Sequence, residues 1–318
     1  MSKKAFGSGY FGEWIEDEFG LPAYFYKCDQ INDPKAISPV NEIWRMKNDH
    51  SFQIGNDRLA CVVSNYGYMQ VRQDEGGPKF LNDHDPQRNR FGGGFGYLTD
   101  GKVILNTYYP GNGKEFNRIY GVGYCNKKVE GDGLNIDQVI FPPFGDDPII
   151  ISRVKITNNR NTPANLRWVE YWDNNFYQFS YLAFMNALGK KDPGLAKKMR
   201  RELNDQTISK ARVILDGHGV QAAKTSKKMA DEFSFENIRL FNSKPTFEDK
   251  NPPSVFLVSL NGIPSGMSVD GAGFFGSGGV KSPDGLKKSI PFNLNDTHDN
   301  SALLMEREFN LNPEETKT

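Results

Sequence analysis

Residues 149–172 read IIISRVKITNNRNTPANLRWVEYW. Two runs rich in β-branched and aromatic residues flank NNRNTPAN, a stretch of turn formers whose short side chains bond their own backbone. The pattern predicts two long antiparallel strands joined by a tight loop, and therefore a mainly β protein. Upstream, RLACVVSN (58–65) is an apolar run bounded by polar turn residues. In GYMQVRQ (67–73), Tyr68, Gln70 and Arg72 alternate with Met69, Val71 and Gln73, so the two segments are expected to pair around Asn65. Downstream, SVFLVSLNG (254–262) reads as a strand, and LLMEREFNL (303–311) puts Leu303, Met305, Arg307, Phe309 and Leu311 on one face.

Between about 176 and 235 the period changes. Asp192 followed by Pro193 is a helix-start signal, and Leu195, Met199 and Leu203 then fall on one stripe, with Lys197, Lys198, Arg200 and Arg201 elsewhere around the helix. A second, weaker helix is expected around 222–232. The simplest partition is a single β-sandwich domain over residues 1–318 with a short helical insertion at about 176–235. Pro-rich breaks lie near 142–148 and 245–253. After Leu311 the chain turns through Asn312 and Pro313, and the expectation is that more chain follows Thr318.

Lys plus Arg and Asp plus Glu each number 39 in 318 residues, so no basic field of the kind that drives phosphate-backbone binding exists. Nucleic acid is excluded as an expected partner. The opening MSKKAFGSGYFGEW has no apolar run behind its basic pair, and no later stretch is long enough to span a bilayer, so a cytoplasmic, membrane-free protein is expected. Cys28, Cys61 and Cys125 show no metal spacing and read as reduced, buried thiols. Aromatics at 13% and 32 glycines suit a loop-rich β protein that recognises polar ligands.

Two segments carry candidate chemistry. FGEWIEDEFGLPAYFY (11–26) sets Glu13, Glu16, Asp17 and Glu18 among six aromatic rings. Rings beside carboxylates hold sugars; Trp14 and the tyrosines read equally as a stacking platform, with Glu16 and Asp17 as acceptors for hydroxyls, or as core and rim packing. Glycosidases hold two carboxyl groups on opposite sides of the scissile bond, and acids this close along one strand do not span a sugar ring. NDHDPQRNRFGGGFGYLTDG (82–101) gathers Arg88, Asn89 and Arg90 ahead of four glycines and Phe95, groups suited to sugar hydroxyls or a phosphate. A hairpin with a glycine bulge and a charged tip is the plainer reading of that loop. Asp83-His84-Asp85 is not a metal site by spacing, because neighbours on extended chain point to opposite faces. GDGLNID (131–137) lacks the calcium-loop register and reads as a turn. GSGGVKSPDG (276–285) has the glycines to cradle an anion with backbone N–H groups.

GNDRLACVVSNYGY, RNRFGGGFGYLTDGK, IIISRVKITNNRNTPANLRWVEYW and the closing FNLNPEETKT, in that order, resemble the N-terminal β-sandwich domain of glycoside hydrolase family 94, the cellobiose, chitobiose and oligoglucan phosphorylases. The resemblance covers most of residues 10–318 as an ordered series of motifs. It implies a galactose-mutarotase-like super-sandwich of two antiparallel sheets, with a catalytic (α/α) barrel downstream or on a separate chain. It also implies a glycosyltransferase-type activity, cleavage of β-glucan oligosaccharides or disaccharides by inorganic phosphate with inversion, and a homodimer. The proton donor of that family belongs to the barrel, so no catalytic residue carries over. No cofactor and no metal is implied beyond phosphate as co-substrate. The residues expected to border substrate are Trp14, Glu16, Asp17, Arg88, Asn89, Arg90 and Phe95. Two other functions remain open at this point: a stand-alone carbohydrate-binding or assembly module, and a mutarotase-like enzyme.

Overall fold

The computed structural model describes residues 11–27, 50–73, 79–108, 115–178, 189–195, 207–226, 253–295 and 300–318. They form two compact units. The first comprises Met1–Val71, Gly92–Tyr171 and Arg307–Thr318, and the second Arg72–Phe91 and Trp172–Glu306. Mainly β structure built from antiparallel sheets in a sandwich-like arrangement is what the strand-rich sequence leads one to expect. Among the described residues no helix is long and apolar enough to cross a membrane.

In the first unit a seven-stranded antiparallel sheet runs in the order Gly12–Glu16, Pro22–Tyr26, Glu115–Gly121, Tyr124–Gly131, Leu134–Phe141, Ile151–Asn158, Thr316–Lys317. Asp132 and Gly133 both take positive φ, the conformation of a type I′ two-residue hairpin turn, so GDGLNID holds a turn at its start and runs on into the strand Leu134–Phe141. Strands Ser51–Gly55, Leu59–Ser64, Met69–Gln73, Gly93–Thr99 and Ala164–Asp173 belong to the second sheet. The hairpin around Asn65 is present, closed by the Ser64 N–H donating to the Tyr68 carbonyl at 2.8 Å. Leu98, Leu105, Leu166 and Trp168 from this sheet pack on Val129, Leu134, Ile136 and Ile156 from the other, and Leu311 completes the layer.

The two strands of residues 149–172 are both present, at Ile151–Asn158 and Ala164–Asp173, but they do not bond to each other. The first pairs with Leu134–Phe141 and Thr316–Lys317, whereas the second lies in the other sheet. NNRNTPAN is therefore an arch from sheet to sheet, and the expected hairpin is corrected. The cause is burial. Trp168, Val169, Glu170 and Tyr171 are buried in succession, the mark of a strand covered on both faces, while Ile151–Lys155 leaves Arg153 and Lys155 to solvent.

Asn158, fully buried, closes the arch. Its Nδ2 spans the carbonyls of Thr162 (2.9 Å), Leu311 (3.1 Å) and Asn312 (3.2 Å), and its Oδ1 accepts the Arg160 N–H at 3.1 Å. Its own backbone N–H donates to the Glu315 carbonyl, and its carbonyl accepts from the Glu314 N–H. Arg160 extends the knot through Nε to the Asp132 carbonyl (2.8 Å) and Nη1 to Asp100 Oδ2 (2.7 Å). Burial works against the Asp100 carboxylate, but the Val103 N–H, Arg160 and the Lys102 N–H hold it down at about 2.

Lys127 is buried inside this sandwich and donates from Nζ to the Gly67 carbonyl at 2.8 Å and to the Gly94 carbonyl. Gly67 has φ 89°, and a Cβ there would lie 2.3 Å from the Thr107 carbonyl oxygen, so no other residue fits. Desolvation pushes the Lys127 ammonium below its ordinary pKa, while Cys125 and Glu170 oppose that shift. Cys61 and Cys125 are buried free thiols, in accord with their sequence reading, and Cys28 lies outside the described residues.

In the second unit Thr207–Ile214, Gly219–Ser226 and Val255–Val258 form a three-stranded antiparallel sheet. Val220 and Ala222 pack on Met267, Val269, Leu303 and Met305. The helix expected around 222–232 is thus corrected over its described part: Val220, Ala222 and Lys224 are buried at every second position, a strand period that overrides the helix preference of the alanines. Residues 227–235 lie outside the described residues. Asp192 does cap a helical turn, its Oδ1 accepting the Leu195 N–H at 2.9 Å, whereas Met199 and Leu203 lie outside the described residues.

Replacing Asn158 with Ala removes the side-chain bonds that this buried amide makes to three carbonyls and one N–H of the arch and closing turn. A loss of about 2–4 kcal/mol is expected, against about 0.5 kcal/mol or less for exposed Arg153→Ala, both measured by urea denaturation.

Candidate functional site

The loop that the sequence singles out, residues 82–91, folds as a small hairpin in which His84–Asp85 pairs with Arg90–Phe91. Asp85 caps the 3-10 turn Pro86–Arg88 by accepting the Gln87 N–H at 3.1 Å, and proline presets the turn's first residue. Asn89 ends the turn in the left-handed conformation, which asparagine tolerates, and its N–H returns to the Pro86 carbonyl. This reversal brings Arg90 back beside Asp83.

Around Arg90 the second unit gathers a buried polar cluster. Arg90 Nη1 donates to Asp83 Oδ2 at 3.2 Å and Nε to Asn300 Oδ1 at 3.0 Å, while Asn300 Nδ2 donates to the Arg88 carbonyl. The Asp83 N–H donates to Asp173 Oδ2 at 2.8 Å. Asp173 also accepts the Asn175 N–H (2.8 Å) and its Nδ2 (2.7 Å). Lys224 Nζ donates to Asn175 Oδ1 at 2.9 Å, and Asn175 Nδ2 reaches the Ser301 carbonyl. Two carboxylates, one guanidinium and one ammonium are thus linked through amides.

Burial sets their protonation. It raises Asp173 to about 7, with Arg90 pulling down and Asp83 pushing up. It raises Asp83 as well, with Arg90 opposing and Asp85 reinforcing. His84 is pushed down to about 3 by burial and is neutral at physiological pH. Desolvation is the largest cause for both carboxyl groups, and it leaves Asp173 partly protonated near neutrality. Among the described residues no group of His, Cys, Asp and Glu is assembled to hold a metal ion.

The predicted site residues fare unequally. Arg90 is only 8% exposed and is a structural cross-link rather than an open ligand-binding group. Arg88 is 35% exposed and pairs with Asp85 at 3.4 Å. Phe95 is at 0% exposure among Tyr97, Tyr108 and Tyr171, so its expected place on a binding surface is corrected: it is core. In the first unit Trp14 is 37% exposed and packs edge-on against Tyr24, its cross-strand partner, with Glu16 exposed nearby on the same strand. Asp17 is committed to its own turn, accepting the Phe19 and Leu21 N–H groups at 2.9 Å and the Tyr124 hydroxyl at 3.0 Å. Desolvation opposes ionisation there, but these three donors leave its pKa below the ordinary value.

Sequence reasoning missed Asp173, Asn175, Lys224 and Asn300. The polar run Asp173-Asn174-Asn175 directly after a buried strand was the available signal. The suspected anion cradle at 276–285 is filled by the chain itself: Asp284 Oδ2 accepts the Ser277 N–H (2.7 Å) and hydroxyl (3.0 Å), and its Oδ1 meets Lys287 Nζ at 2.7 Å.

Arg90→Gln takes the guanidinium from the buried Asp83 carboxyl group and is expected to cost about 3–5 kcal/mol, whereas Arg88→Gln removes one partly exposed pair and should cost about 1 kcal/mol or less, both read by chemical denaturation. Comparison with protein-family models finds no family that matches the chain, and comparison with characterised proteins finds no match either.

Proposed function

We propose that this chain is a saccharide-positioning β-sandwich of an inverting glycoside phosphorylase or a close relative, acting on β-glucosides and β-glucan oligosaccharides with inorganic phosphate as co-substrate. In this reading the proton donor resides on a helical barrel, downstream or on a separate chain, and the sandwich contributes to the walls of the substrate site and to a homodimer.

The observation that carries the reading is the opening hairpin. Trp14 stands half-open against Tyr24 with Glu16 exposed nearby, on a turn held in place by Asp17 and Tyr124. A flat ring fixed before the ligand arrives costs little ordering on binding, and a carboxylate nearby accepts hydroxyl hydrogen bonds. Asp17 is occupied by its own turn, so the acids of this segment do not form the separated pair that glycoside hydrolysis uses. Such a surface improves capture of the sugar without supplying proton transfer.

Titrating the chain with cello-oligosaccharides should quench tryptophan fluorescence and release heat, and Trp14→Ala should weaken binding about ten-fold, the loss of one stacking contact. Incubated alone with phosphate and β-glucan, the chain should release no glucose 1-phosphate. Absence of binding, or binding indifferent to Trp14, would overturn the positioning role; release of glucose 1-phosphate would overturn the assignment of the proton donor to another domain.

A further inference from the structure

In the seven-stranded sheet of the first unit, Ile151–Asn158 is paired along its whole length with Leu134–Phe141, but on its other side Thr316–Lys317 covers Thr157 and Ile156. Among the described residues no strand continues alongside residues 151–155. Two hydrogen bonds at the arch fix which main-chain groups this leaves at the edge. The Asn159 N–H donates to the Gly133 carbonyl, on the side of Leu134–Phe141, whereas the Asn158 N–H donates to the Glu315 carbonyl, on the side of Thr316–Lys317. Main-chain direction alternates along a strand, so the groups of Lys155 and Arg153 point to Leu134–Phe141, while the N–H and C=O groups of Val154 and Ser152 point to the open edge.

The side chains there differ by face. Val154 packs on the core of Leu134, Ile136 and Ile156 and stays half-buried, as does Phe309, whose ring lies 5.8 Å from Lys317 Nζ. On the outer face Arg153 and Lys155 are both exposed. Asp137, the cross-strand neighbour of Lys155, is paired with Lys128 at 3.7 Å, so this face carries more cation than carboxylate.

We propose that residues 151–155 are a docking edge for an extended acidic segment of a partner protein, which adds an antiparallel strand with an apolar residue opposite Val154 and carboxylates opposite Arg153 and Lys155. Bonds to the Val154 and Ser152 main chain supply affinity, and the alternation of side chains supplies choice. A second copy of this edge is a poor occupant. Pairing antiparallel about Val154, it sets Arg153 against Lys155, and like charges directly opposite each other destabilise a sheet. The same cations blunt the edge toward indiscriminate pairing and select an acidic strand. The docking edge is independent of the saccharide reading, and no sugar enters its test.

The probe is an eight-residue peptide alternating Glu and Val, with a Lys–Val peptide of equal length as its control, added to the full chain and followed by residue-resolved amide hydrogen exchange. Without peptide, the Ser152 and Val154 N–H groups should exchange at least about ten-fold faster than those of Arg153 and Lys155, corrected for intrinsic rates. The Glu–Val peptide should raise protection of Ser152 and Val154 at least about ten-fold and leave Gly12–Glu16, at the far edge of the same sheet, unchanged. Combining Arg153→Glu with Lys155→Glu should weaken that binding at least about ten-fold and favour the Lys–Val peptide. Should the reversed chain fail to fold, Val154→Pro removes one edge N–H while leaving the bonds to Leu134–Phe141, and it should likewise weaken binding. Edge N–H groups already protected without peptide, whether by a second copy or by the chain itself, would overturn the docking edge. So would no gain with the Glu–Val peptide, an equal gain with both peptides, or binding indifferent to these substitutions in a folded variant.

Discussion

The amide of Asn158 is the constraint on which the sandwich depends. A chain that leaves one sheet for the other must expose several carbonyls at the crossing, and buried carbonyls without donors are costly. One Nδ2 group covers those of Thr162, Leu311 and Asn312, so the arch, the closing strand and the final turn are tied at one point. Arg160 then joins that point to the Asp132 turn and to Asp100. The knot fixes the point at which Ile151–Asn158, paired with Leu134–Phe141, parts from the strand that follows it in sequence.

Both units place cations in their interiors, with different partners. Lys127 bonds main-chain carbonyls at two glycine positions, where close backbone approach makes room for an ammonium. Arg90 is matched to Asp83 and, through the Asp83 backbone, to Asp173. Desolvating such groups is expensive, and the expense is tolerable only where each donor finds an acceptor. The Lys127 arrangement ties two glycine positions inside a core, whereas the Arg90 arrangement fastens a hairpin to Asn300.

This distribution bears on function. Of the groups that sequence reading assigned to substrate, Arg90 and Asp17 are engaged in holding their own loops, Phe95 is core, and Trp14 and Glu16 remain open at the surface. The proposed saccharide-positioning role is built on the exposed ring of this hairpin and on the resemblance of the sequence motifs.

Alternation of apolar residues determined, from sequence alone, that the chain is mainly β and where several of its strands lie, because side-chain period is a local property of the backbone. The pairing at Asn65, the turn at Asp132-Gly133 and the cap at Asp192 were legible for the same reason: each is decided by residues within a few positions of one another. Which strand bonds to which was not. The strands around NNRNTPAN look like a hairpin locally, and only the carbonyls of Leu311 and Asn312, over 150 residues away, reveal an arch. Strand Gly219–Ser226 likewise owes its form to Met267, Val269, Leu303 and Met305. The Arg90 cluster assembles residues 83, 90, 173, 175, 224 and 300, and no local pattern records such a meeting. Burial and long-range hydrogen bonding, properties of the assembled chain, decided these.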